Sequence, residues 1–146
     1  MIVGFAGPRE GLLSVQHESL RRIAAKLSLS VFVHGGSYGS DTLAHYAFRS
    51  AHPTIPIIVM PATKDNGSIV TAPYGDLNII LQPRGPLERN DMIVTVITGL
   101  VAAPKMMTEE LRGGTWYTIR RARKKGVPIL FVWPDGTTSI ERNDSL

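Results

Sequence analysis

The chain has 146 residues, with 16 Lys and Arg against 12 Asp and Glu, a formal net charge of +4, and no cysteine. That length suits one domain with a substantial core, and the missing cysteine removes disulfides, thiolate zinc sites and Cys nucleophiles. The start, Met1-Ile2-Val3-Gly4-Phe5, has no basic segment, and no apolar run approaches the ~20 residues that span a bilayer, so a cytoplasmic protein without a membrane partner is expected.

Ile2 to Phe5 is short, apolar and β-prone, and it runs into the loop Gly7-Pro8-Arg9-Glu10-Gly11. Ser14 suits an N-cap, and Leu20, Ile23, Ala24 and Leu27 then recur at helical spacing. Leu29 to Val33 reads as a second strand, closed by His34-Gly35-Gly36. Gly39 to Ser50 reads as a second helix, with Leu43, Ala44 and Ala47 on its inner face. Ile55 to Met60 is a third strand. Residues 61–86 are rich in Pro, Gly and Asn and read as a long loop, interrupted by a short strand at Leu77 to Leu81. Leu87 to Ile97 is helical, with Ile93, Val94 and Ile97 facing inward, and Leu100 to Ala103 is a fourth strand. The last pair is a Gly113 to Lys125 helix and a Val127 to Val132 strand.

Continuously apolar strands alternating with helices imply a parallel sheet covered on both faces. The expected fold is α/β: a single Rossmann-like doubly wound domain over residues 1–134, with a mainly parallel sheet of about five strands. A polar tail, 135–146, is expected to fray. In such sheets the ligand lies beyond the carboxyl ends of the strands, near the switch in strand order. The Gly/Pro/polar loops after the first, second and fourth strands therefore converge on one crevice.

The strongest local signal is Arg112-Gly113-Gly114-Thr115, a turn that opens a helix. A helix start presents unpaired N–H groups and the positive end of the macrodipole, which suits phosphate. The second loop, His34-Gly35-Gly36-Ser37-Tyr38-Gly39-Ser40-Asp41, also joins a strand to a helix; its glycines permit close approach of a phosphate or sugar. Asp41 can cap that helix or bind a ribose hydroxyl. The loop lacks the Gly-Lys-Ser/Thr of a Walker sequence and the G-x-G-x-x-G dinucleotide fingerprint. His34 alone reads more as a structural hydrogen-bonder than as a catalyst. In Arg89-Asn90-Asp91-Met92, Arg89 can clamp a phosphate and Asn90 can read a base or cap the helix. Arg120-Arg121-Ala122-Arg123-Lys124-Lys125, in a chain of pI about 9.7, is either a solvated helix end or a polyanion patch.

Four segments, in this order and spacing, resemble the SLOG superfamily, which includes the DprA-like, YpsA-related and LOG-like Rossmann proteins. They are Gly4-Phe5-Ala6-Gly7-Pro8-Arg9, Val33 to Asp41, Arg89 to Met92, and Arg112 to Trp116. The small YpsA-related branch, found in bacteria and their phages, looks most similar. The resemblance implies a pocket for a nucleotide or nucleotide-derived ligand, acting as a sensor or ligand-binding domain. It implies ligand contacts from Gly7, Pro8, Arg9, His34, Gly35, Gly36, Ser37, Gly39, Asp41, Arg89, Asn90 and Arg112 to Thr115.

LOG-like members hydrolyse the N-glycosidic bond of nucleoside monophosphates, so an N-glycosidic hydrolase or transferase is the alternative reading. Here Thr118 stands where their signature has its catalytic Glu, which leaves Arg89, Glu110 and Asp41 as catalytic candidates. A DprA-like binder of single-stranded DNA is a third reading, resting only on the basic balance. The aromatics form no basic–aromatic stripe of the kind stacking platforms use. No metal or cofactor site is expected, and the family resemblance leaves room for a homo-oligomer.

Overall fold

The computed structural model describes residues 1–64, 69–72, 74 and 78–143. The described elements begin with β1 (Ile2–Ala6), α1 (Ser14–Lys26), β2 (Val31–His34), α2 (Ser40–Ala51) and β3 (Ile57–Val59). Three short strands follow, β4 (Ala62–Thr63), β5 (Ile69–Val70) and β6 (Asn78–Ile80). The chain continues with α3 (Pro86–Val96), β7 (Gly99–Ala102), α4 (Gly114–Lys125), β8 (Ile129–Val132) and β9 (Thr138–Glu141).

The main sheet has seven strands in the order β6-β3-β2-β1-β7-β8-β9. Every pairing is parallel except β8 with β9. From β1 the chain winds outward through β2 and β3, then returns to β1's other side with β7. The switch in strand order therefore lies between β1 and β7. β4 and β5 form a separate antiparallel pair.

Alternation along β1 builds both faces of the core. Val3 and Phe5 pack with Leu20, Ala24, Phe32 and Phe48 beneath α1 and α2. Ala6 packs with Ile93, Ile97, Ile119 and Ala122 beneath α3 and α4. Successive side chains point to opposite faces of a strand, so one five-residue segment anchors two helical layers. This is the doubly wound α/β arrangement expected from the alternating apolar segments.

Several local expectations are corrected. Ser14 is the first helical residue of α1 rather than its cap; Leu13 holds the cap position and makes no side-chain cap bond. The sheet gains β6 and β9 beyond the five expected strands. Of these, β6 lies within the short strand read at Leu77 to Leu81, although Leu77 is outside the described residues. The polar tail does not fray over 138–141 but forms β9, because each of its four residues pairs with one of β8 from Ile129 to Val132. Among the described residues of the segment read as a loop, Thr63 N–H donates to Arg84 O (2.8 Å) and Ala72 N–H to Gly36 O (2.8 Å).

Candidate ligand cleft at the strand switch

The carboxyl ends of β1 and β7 open into a cleft of about 370 Å³. Four segments contribute to it. Gly7, Pro8 and Arg9 follow β1; Gly35 and Ser37 follow β2, with Asp41 in the first turn of α2. Arg89 and Asn90 project from α3, and Glu110 with Arg112 to Thr115 leads into α4. Proline at the first position of α3, where an N–H would be unsatisfied anyway, sets the start that aims Arg89 and Asn90.

The floor is polar and buried. Arg89 is 6% exposed, Asp41 7% and Asn90 9%. Arg89 donates through Nη1 to Gly35 O (2.6 Å) and Met60 O (3.2 Å), and through Nε to Asn90 Oδ1 (2.7 Å). Because Asn90 Oδ1 accepts from Arg89, its Nδ2 is the outward donor, and it lies 3.5 Å from where a Cβ on Gly114 would stand. The Arg89 Nη2 has no hydrogen-bond partner among the described residues. Asp41 Oδ2 accepts from Ser37 N–H at 3.1 Å. Burial pushes the Asp41 carboxyl up to about 6, against the opposing pull of the Ser37 N–H and the Arg89 charge. Burial also lowers the Arg89 guanidinium, which Asp41 counters, and so close to a carboxylate it remains a cation.

Gly35 is the space that Arg89 occupies. A Cβ there would stand 2.8 Å from Arg89 Cζ and 3.1 Å from Asp41 Oδ2. Gly39 serves another purpose: its φ of +84° suits glycine, and a Cβ would collide with the Arg9 carbonyl. The loops after β1 and β2 are thereby pressed together, reinforced by Ser40 Oγ to Pro8 O (2.6 Å).

The rim is cationic. Arg9, Lys105 and Arg112 are exposed around the mouth, and Lys105 faces Glu10 at 3.7 Å. The α4 N-terminus opens at the same place without a side-chain cap. Phe5, Pro86, Leu87 and Ile93 supply an apolar wall. Lys105 and this wall were not singled out from the sequence, because one lies in an unstructured connection and the other reads as ordinary core.

Twelve of the fifteen residues expected to touch the ligand line the cleft. His34, Gly36 and Gly39 do not. His34 is fully buried, and its Nδ1 accepts from Gly36 N–H at 2.9 Å. That fixed donor makes Nε2 the protonated nitrogen, donating to His45 Nδ1 at 2.9 Å. Burial holds both rings neutral, lowering His34 well below the ordinary range and His45 to about 4. The pair sets the shape of the Gly35-Gly36-Ser37 loop from behind, a role signalled only by His45 lying one helical turn after Asp41.

Glu110 lines the cleft, whereas Glu109 is turned to α4, pairing with Arg120 (3.0 Å) and Arg123 (2.9 Å). Thr118 also lines the cleft, and its hydroxyl donates to Gly114 O at 2.9 Å. Four members of the basic run have intramolecular partners. Besides Arg120 and Arg123 on Glu109, Arg121 pairs with Asp91 (2.8 Å), and Arg123 also pairs with Glu141 (2.8 Å). Lys125 Nζ donates to the last-turn carbonyls Val94 O and Thr95 O, each at 2.7 Å. These contacts engage the helix end with its own fold. No helix among the described residues is long and apolar enough to cross a membrane.

No protein family and no curated protein matches this chain. Among solved structures, it is similar to the molybdenum cofactor binding protein from the phototrophic bacterium Rippkaea orientalis. The TM-score is 0.63 at 20% identity, over 90% of this chain and 76% of that one. The likeness is one of fold.

Proposed function

We propose that the cleft binds a nucleotide or nucleotide-derived phosphorylated ligand, in a ligand-binding or sensor domain of the SLOG type. One observation carries this reading: the uncapped α4 N-terminus, Arg112, Lys105 and Arg9 meet at the switch between β1 and β7. There, backbone N–H groups, a helix dipole and three cations can all face one anion. Behind that rim, a buried polar floor of Asp41, Arg89 and Asn90 beside an apolar wall leaves room for the rest of the ligand. The related fold of a protein described as binding the molybdenum cofactor is compatible with a cofactor-sized ligand.

Gly114 offers a clean test. A side chain there meets only ordinary contact, at 3.5 Å from Asn90 Nδ2, so Gly114→Val is expected to leave the fold intact while filling the phosphate position. Titration calorimetry is expected to show a loss of about tenfold or more for nucleoside monophosphates and little change for the free nucleosides. Equal losses for both classes refute the phosphate assignment.

A second reading, N-glycosidic cleavage, is favoured by one feature. Asp41 is a buried carboxyl raised to about 6 beside a guanidinium, the condition of an acid–base group. Thr118 at the position of the family's Glu argues the other way. Incubation with nucleoside monophosphates releases free base if this reading holds, and Asp41→Asn or Glu110→Gln then abolishes release. Intact nucleotides after prolonged incubation eliminate it.

A further inference from the structure

The two ends of the cleft differ in chemistry. At the α4 end stand three cations and free backbone N–H groups, with the carboxylates of Glu10 and Glu110 at the same rim. At the β2 end stands Asp41, an acceptor whose carboxylate oxygens offer more lone pairs than Ser37 uses. Between them the Arg89 guanidinium and the Asn90 amide lie in series: Arg89 Nη1 on Gly35 O at 2.6 Å, Arg89 Nε on Asn90 Oδ1 at 2.7 Å, and Asn90 Nδ2 beside Gly114. The breadth of two side-chain head groups thus separates Asp41 from the phosphate position. A ribose together with the body of a base fills such a gap, so the group that reaches Asp41 is the far edge of the base.

That floor has fixed polarity. Asp41 can only accept, and Arg89 Nη2 and Asn90 Nδ2 can only donate. All three residues are more than nine-tenths buried, and Phe5 and Ile93 line the same space. A sugar hydroxyl, donor and acceptor at once, needs neither a fixed pattern nor apolar walls. A flat heteroaromatic ring needs both. The second-loop carboxylate would also repel a phosphate, which sets the ligand's orientation.

We infer that the cleft selects a phosphorylated ligand whose ring carries a carbonyl beside a ring N–H, the lactam edge of guanine, hypoxanthine or uracil. The N–H faces Asp41, and the carbonyl faces Arg89 Nη2. An adenine or cytosine edge presents an unprotonated ring nitrogen to the carboxylate, and buried groups left unpaired in this way discriminate strongly. The inference rests on the phosphate reading for orientation, but its test is separable from it.

The test measures binding of GMP, IMP, XMP, UMP, AMP and CMP, with guanosine and adenosine alongside, to the full chain and to Asp41→Asn. GMP, with two donors on its edge, is expected to bind at least about tenfold tighter than AMP, with IMP and UMP between them. Asp41→Asn, which adds a donor, is expected to lose about tenfold for GMP and to gain for XMP, whose second carbonyl replaces the amino group. AMP binding as tightly as GMP overturns the inference, as does an equal loss for every nucleotide in Asp41→Asn. Either result leaves the phosphate reading standing on the nucleotide-over-nucleoside difference. Guanosine binding as well as GMP removes the phosphate reading, while the guanine-over-adenine ranking still decides the edge. No binding by any nucleotide overturns both, and if Asp41→Asn does not fold the ranking by the unaltered protein decides.

Discussion

Asp41 and His45, one turn apart on α2, respond to acid in opposite directions. The buried His45 ring, at about 4, refuses a proton that the unfolded chain accepts below its ordinary value of 6.5. Its contribution to stability is complete above that value and is lost as pH falls toward 4. Asp41, raised from 3.8 to about 6, holds a proton in the fold that the unfolded chain has released. Its burial therefore favours the fold in acid and opposes it as pH rises through about 6. Asp41→Asn removes only the second effect. Urea unfolding at pH 5 and at pH 7.5 is expected to show the variant gaining on the parent with rising pH, by about 1–1.5 kcal/mol. A difference independent of pH refutes the raised carboxyl. Neither group's behaviour was legible in the sequence, where Asp41 reads as a cap or a ribose-binding group, His45 carries no signal, and its partner His34 reads as a lone imidazole. The tautomer and the burial both come from residues brought in by the fold.

At the scale of elements, the parts that announce themselves are those whose signal is local. The runs of β1, β2, β3, β7 and β8 are continuously apolar, and α1, α3 and α4 repeat at helical spacing, so their order implied the sheet. The short β4, β5 and β9 lack that signal. Thr138-Ser139-Ile140-Glu141 is a polar strand only because β8 offers it a partner, with Ile129 opposite Glu141 and Val132 opposite Thr138. Arg123 then binds Glu141 from α4 at 2.8 Å. The strand protects an apolar edge that would otherwise present unpaired N–H and C=O groups. Truncation after Pro134 is therefore expected to produce concentration-dependent association beyond that of the full chain, visible by light scattering after size exclusion. Identical behaviour at all concentrations refutes this role for β9.

For the whole molecule, the architecture was the most legible level. Doubly wound topology places loops from β1, β2 and β7 on one side, so the sequence already implied a shared crevice, and twelve expected residues line it. The division of labour inside it was not legible. Gly35 and Arg89 are 54 positions apart, and nothing local in either motif reports that one is filled by the other. The basic run on α4 likewise left a solvated helix end and a polyanion patch open, and its ion pairs with Glu109, Asp91 and Glu141 come from residues the sequence does not place beside it. Net charge describes the chain, whereas the cationic rim depends on Arg9, Lys105 and Arg112, which are scattered in the sequence and gathered by the sheet.

The contact between Gly35 and Arg89 has a consequence for how the loop's glycine is read. The notch at 35 matches the outline of the protein's own guanidinium, so the two positions are coupled in structure. A side chain at 35 would have to push the end of Arg89 off Gly35 O and Met60 O, which disturbs the floor of the cleft. The glycine in this loop is therefore a record of an internal partner, and a search pattern that treats it as a phosphate mark would be reading the wrong correspondent.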